Sequence, residues 1–196
     1  LAYRAAADAE PAATDKVAML EGLARVERAR GRPDGAVAAY DEVLALAKQA
    51  SYRAGIMFEA AQALNEAGRD GAVARWNALI ASYPESTHAA RALSALEPQG
   101  LPGVEPLLQA RVKYGAGDAA GALEILQALE AGGHSAEAHY YAALCQRKLG
   151  QHAESLREWD ALIDGHAQSP LLVQALYEKA QSLALAGQVD AAVQAF

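Results

Sequence analysis

The chain has 196 residues, 53% of them hydrophobic but only 6% aromatic, so it is long enough for a sizeable core or an extended array. A formal net charge of -7 and a pI near 5.2 exclude the global basic field that holds a phosphate backbone, so nucleic acid is not an expected partner. The single cysteine, Cys145, excludes an internal disulfide framework; no stretch approaches the roughly 18 apolar residues of a membrane span, and no basic-then-apolar leader opens the chain.

An alanine-rich background with Leu and Val for volume favours helix, and β-rich runs of Val, Ile and Thr are missing. The pattern predicts helices over 1–10, 15–30, 34–50, 52–67, 70–82, 87–96, 104–115, 118–131, 135–149, 151–164, 169–186 and 188–196. Nine or ten of these twelve segments are expected to be long and regular, with the first and last incomplete.

Glycines expected at helix-to-helix turns, Gly31, Gly68, Gly117, Gly150 and Gly187, lie 37, 49, 33 and 37 residues apart. Glycine suits the left-handed residue that follows a helix end. Seven residues before each stands an alanine: Ala24, Ala61, Ala110, Ala143 and Ala180. Beyond each glycine comes a small residue (Ala36, Ala72, Ala122, Ser155, Ala192), then a bulky one (Tyr40, Trp76, Leu126, Trp159, Phe196), then Val43, Leu79, Leu129 and Leu162. Spacings of three, four and seven put these positions on one helical face, where small residues let two helices cross closely and a large one fills the gap beside them.

This pattern, met almost completely by Ala61, Gly68, Ala72, Trp76 and Pro84, resembles the tetratricopeptide repeat family. The resemblance covers essentially the whole chain. It implies an all-α fold, an α-solenoid of antiparallel helix hairpins wound as a right-handed superhelix. Tyr3, Ala6 and Pro11 take the aromatic, small and closing-proline places of a preceding second helix, so the sequence is expected to be a piece of a longer array. The 49-residue interval holds an extra helix, opened by Ser86 and Thr87 and closed by a Pro/Gly linker around Pro98–Gly103. We expect one superhelical domain over 1–196 with an irregular seam at about 84–106; two independent domains is the second arrangement considered.

Chemistry-bearing constellations are sparse. His88, His134, His139, His152 and His166 fall in different turns and helices, and the spacing of five between His134 and His139 misses the shared face of a helical metal pair. Cys145 shares a helix with Ala143 and reads as a buried, inert thiol. No glycine-rich phosphate loop follows a strand, so neither cofactor nor metal is expected.

A binding face can be read from the same register. First helices of stacked hairpins line the concave surface in the resembled family, at ten, six and three residues before the turn glycine. Those positions hold Glu21, Arg25 and Arg28, then Phe58, Gln62 and Asn65, then Leu107, Arg111 and Tyr114, then Tyr140, Leu144 and Arg147, and finally Tyr177, Gln181 and Ala184. The candidate site is therefore Arg25, Arg28, Phe58, Gln62, Asn65, Arg111, Tyr114, Tyr140, Arg147, Tyr177 and Gln181. Arginine and tyrosine make bidentate and stacking contacts with peptides, carboxylates or sugars. The expected function is a non-catalytic scaffold that takes a peptide or protein partner in this groove.

A second resemblance rests on Ser169–Ala180, on Ala186–Ala192, and on Ala110–Asp118. These look like bacterial cell-envelope repeats, among them the α-superhelical region of soluble lytic transglycosylases, and imply a periplasmic or cell-envelope setting. The alternative function is then a glycan-guiding helical domain of a peptidoglycan-cleaving enzyme. That family's catalytic Glu-Ser element is followed by Gly-Leu-Met-Gln, which is absent here; Glu85-Ser86 falls in a turn and Glu154-Ser155 in a repeat helix, so neither is expected to be catalytic.

Overall fold

The computed structural model describes residues 2–8, 13–129 and 135–195, and among them every regular element is helical. In chain order the helices are α1 (Ala2–Asp8), α2 (Ala13–Ala29), α3 (Pro33–Leu46), α4 (Ala50–Glu66), α5 (Ala72–Ser82) and α6 (Thr87–Leu96). After a 3-10 turn at Glu97–Gln99 come α7 (Pro106–Gly115), α8 (Ala119–Ala128), α9 (Ala136–Lys148), α10 (His152–Gly165), α11 (Leu172–Leu185) and α12 (Val189–Ala195). The fold is all-α, with consecutive helices packed on one another as hairpins.

Local chemistry explains the boundaries. At each of the five turn glycines φ is positive, between 60° and 93°. The same two backbone bonds close each helix end: at the Gly150 turn, Gly150 N–H donates to Arg147 O at 3.1 Å and Gln151 N–H to Gln146 O at 2.8 Å. Several helices are shorter than their expected spans. Helix α3 stops at Leu46 because Ala47 turns extended, α7 waits for Pro106 at its first turn, and α11 begins only after a turn in which Ser169 Oγ accepts from Leu171 N–H at 3.1 Å. The expected helix 118–131 ends at Ala128. Pro11, His134 and Phe196 lie outside the described residues.

The chain divides into two compact units, one up to Val104 and one from Glu105. In the first unit, Leu20, Ala24, Ala36, Tyr40, Val43, Ile56 and Ala60 form a core between α2, α3 and α4. Helix α6 opens with Ser86 Oγ accepting from Ala89 N–H at 3.0 Å, and no hairpin partner follows it within this unit. Its exit runs through left-handed Gly100 and Leu101 and is tied back to α5, where Asn77 Nδ2 donates to Pro102 O at 2.8 Å. Gly103 permits that approach, since a Cβ there would stand 2.7 Å from Asn77 Nδ2.

In the second unit, Ala110, Ala122, Leu126, Tyr140, Ala143, Cys145, Trp159, Leu162 and Ala175 make the core of α7 to α11. All five repeat alanines, Ala24, Ala61, Ala110, Ala143 and Ala180, are fully buried. A buried polar chain threads this unit: Ser155 Oγ donates to Ala143 O at 2.9 Å, Trp159 Nε1 to Ser182 Oγ at 3.0 Å, and Ser182 Oγ to Glu178 O at 3.0 Å. Burial pushes the Cys145 thiol up to about 11, leaving it a protonated packing group.

Candidate interaction face

First helices α2 and α4 of the first unit, and α7, α9 and α11 of the second, carry the residues singled out by register. The structure uses several of them internally. Arg28 of α2 reaches across to α4, with Nη1 2.7 Å from Glu59 Oε2 and Nε donating to Glu66 Oε2 at 2.7 Å. The hydrogen bond from Arg28 is the main reason the Glu66 carboxyl sits below its usual range, and the same contact raises the guanidinium. Gln62 Nε2 also donates to Glu66, at 3.1 Å.

The second unit repeats this contact one register later. Arg147 Nη2 of α9 stands 2.7 Å from Glu178 Oε2 of α11, an ionic approach off the hydrogen-bond direction. In both pairs the arginine is three residues before a turn glycine and the glutamate nine before the next one. Between α7 and α9 the same two places hold Tyr114 and Tyr141, whose rings meet edge to face at 5.9 Å and 69°. Arg111 adds a further inter-hairpin pair, Nη1 to Glu137 Oε1 at 2.8 Å, and lies 5.4 Å over the Tyr141 ring. A row of side chains expected to meet a ligand thus staples neighbouring first helices together. Glu59 and Glu178 could have been found by reading the register one residue further.

The remaining candidates divide by exposure. Phe58 and Tyr140 were expected on the groove, but both are buried, at 4% and 6% exposure. Phe58 packs against His88 and Arg91 of α6, and Tyr140 meets Trp159 of its own hairpin edge to face at 5.3 Å, its phenol pushed up to about 12, mainly by burial. Arg25 is open to solvent, its side chain 71% exposed and 3.8 Å from Glu21. Asn65 is exposed and Gln181 half-buried. Tyr177 is 53% exposed, although it occupies the register position of Phe58 and Tyr140.

His139 Nδ1 lies 2.8 Å from Glu158 Oε2, and its ring is 5.7 Å from His166. Among the described residues no group of three or more His, Cys, Asp or Glu is placed to hold a metal ion, and no helix is long and apolar enough to cross a membrane. Of the two Glu-Ser pairs, Glu85 is exposed before the α6 cap, and Glu154 is a surface residue 3.5 Å from Arg157.

The tetratricopeptide repeat family model matches residues 137–169, which span α9, α10 and the turn that follows. No curated protein gives a significant sequence match. Among solved structures, the chain is similar to the crystal structure of MamA protein at 18% identity, covering 92% of this chain and 87% of that one, with a TM-score of 0.43. It is also similar to a Podosopora anserina kinesin light chain with nearly identical TPR-like repeats, at 18% identity, 92% and 91% coverage and a TM-score of 0.40. A tetratricopeptide repeat protein from Parabacteroides merdae ATCC 43184 shares 22% identity over 98% of this chain and 68% of that one, with a TM-score of 0.39. The tetratricopeptide repeat match rests on one hairpin of this chain, α9 with α10.

Proposed function

We propose that the chain is a non-catalytic scaffold that binds a peptide or protein partner along the exposed faces of its first helices. The observation that supports this reading is that several register positions stay open on the first helices: Arg25 and Asn65 in the first unit, and Gln181, half-buried, with Tyr177 one turn before it on α11. An aromatic ring beside an amide offers stacking area and hydrogen bonding at low conformational cost. In the first unit Arg25 and Asn65 are the corresponding surface groups. Arg111 and Arg147 belong to the same face, but each can serve an acidic ligand only by exchanging its glutamate for it.

The test is a titration of the whole chain with a peptide library and, separately, with muropeptides. Tyr177→Ala with Gln181→Ala should weaken peptide binding by about tenfold or more. Arg75→Ala, which removes the Arg75–Asp41 pair between second helices α5 and α3, should leave it unchanged. Equal losses in both variants would place the binding surface elsewhere. Saturable muropeptide binding without peptide binding would favour the glycan-guiding alternative, and turnover of murein sacculi would overturn the non-catalytic reading.

A further inference from the structure

Two pairs of successive hairpins, α2 to α5 in the first unit and α9 to α12 in the second, have their turn glycines 37 residues apart, so their second helices can be compared position by position. In the first unit, α3 and α5 are joined through arginine. Asp41, ten residues after Gly31, accepts from Nη1 and from Nη2 of Arg75, each at 2.8 Å, and Asp34 accepts from Arg69 Nη2 at 3.2 Å. In the second unit, Asp160 stands ten residues after Gly150 and so repeats Asp41, but the places of Arg75 and Arg69 hold Ala195 and Gln188. The carboxylate is kept while both arginines are replaced.

A cavity of about 440 Å³ lies at this place, bounded by Leu156 and Asp160 of α10, Lys179 and Leu183 of α11, and Gln188 and Gln194 at and after the turn into α12. That volume falls within the roughly 300–1,000 Å³ of ligand sites. Lys179 Nζ is 2.6 Å from Asp160 Oδ1, but it comes from the first helix, from a position that Ala60 holds in the first unit, and brings no planar fork. Oδ2 of Asp160 has no partner among the described residues, and the Asp160 side chain is 53% exposed. Leu156 and Leu183 offer apolar wall for a methylene stem, and the amide oxygens of Gln188 and Gln194 are further acceptors. The sign of the field agrees: the second unit carries six of the 17 basic residues and 11 of the 24 acidic ones, with Asp164, one turn after Asp160, and Asp190, two residues after Gln188, both exposed. Such an excess draws cations toward the surface that bears it.

Going beyond the first-helix face described above, we propose that this cavity on the second-helix side takes an arginine side chain of a partner protein, its guanidinium on Asp160 and its stem between Leu156 and Leu183. The partner's arginine supplies from outside the contact that Arg75 supplies from within the chain in the first unit. A guanidinium meets a carboxylate with two parallel N–H bonds, which an ammonium does not provide. Lys179 is thus an internal competitor that releases Oδ1 when the two-bond contact forms.

Backbone amide NMR of the whole chain tests this, with the N-acetyl amides of arginine and of citrulline as probes; citrulline keeps the planar shape without the charge. The arginine amide should shift the signals around Asp160, Gln188 and Gln194 saturably and bind at least about tenfold more tightly than the citrulline amide, the effect of a single charge-assisted contact. Asp160→Asn should remove that preference. Ala195→Arg, which rebuilds the first unit's arrangement, should block the cavity while leaving Asp160 in place. Glu154→Gln, at an exposed carboxylate of the same helix, should change nothing. Equal affinity for the two amides, full retention in Asp160→Asn or in Ala195→Arg, or an equal loss in Glu154→Gln would overturn the assignment. Such a failure leaves the first-helix reading standing, because that face is tested separately through Tyr177 and Gln181.

Discussion

At the scale of single residues, the repeat alanines show how far a spacing can be trusted. They are constant seven residues before each turn because that is where helix axes approach most closely, and all five are fully buried. Ala143→Leu should overpack the crossing and cost about 1–3 kcal/mol, while Ala45→Leu on the exposed side of α3 should change stability by less than about 0.5 kcal/mol. Thermal or urea melting of the two variants decides it, and equal midpoints would mean the register is wrong. The tryptophans show the opposite limit. Trp76 and Trp159 hold the same bulky place and are both fully buried, yet only Trp159 finds an acceptor, Ser182, for its indole N–H. Spacing located the volume; the polar partner comes from another hairpin.

Between elements, ion pairs join the first helices of neighbouring hairpins, in addition to the packing of consecutive helices. The Arg147–Glu178 pair is mostly covered, with side chains 17% and 16% exposed, so screening by water is weaker than at a surface pair. A double-mutant cycle on Arg147→Ala and Glu178→Ala should give a coupling of about 1–2 kcal/mol, between the values typical of exposed and of buried pairs. The same cycle on the open Arg157–Glu154 pair of α10 should give a coupling near zero. Helix α8 offers a pH-dependent case. Asp118 Oδ1 accepts from Gly121 N–H at 2.9 Å, and this cap, ahead of nearby Lys113, holds the carboxyl below its usual range. A carboxyl depressed on folding contributes stability that is present above its unfolded value and is lost as pH falls through the folded one. Asp118→Ala should therefore cost about 1 kcal/mol near pH 7, and the gap to the parent chain should close as pH drops below about 4. Urea midpoints measured at both ends of that range would reveal a gap that persists in acid, which would refute the cap's role.

At the scale of the whole molecule, helices contact mainly their immediate neighbours, so each hairpin draws its stability from the ones beside it. Within the second unit, α11 and α12 leave Val173, Leu185, Val189 and Val193 exposed, whereas α9 is enclosed by α7, α8 and α10 and buries most of its length. Backbone amides of α12 should exchange with deuterium first and those of α9 last, since local opening follows buried apolar contact. Hydrogen exchange read by mass spectrometry checks this order; uniform protection across α9 to α12 would show the unit opening as one.

Helix number, turn positions and the small-and-bulky packing face followed from the amino-acid order alone, because each depends on local geometry: left-handed turn glycines, a 3.6-residue period, and alanine where helices cross. The binding stripe was legible only as a set of positions. Whether Arg28, Arg111 and Arg147 face solvent or the neighbouring helix, and whether Phe58, Tyr140 and Tyr177 are covered, depends on which residue of another hairpin stands opposite. Ion pairing and burial are properties of side chains brought together from 26 to 38 positions apart, and only the tertiary structure decides those meetings.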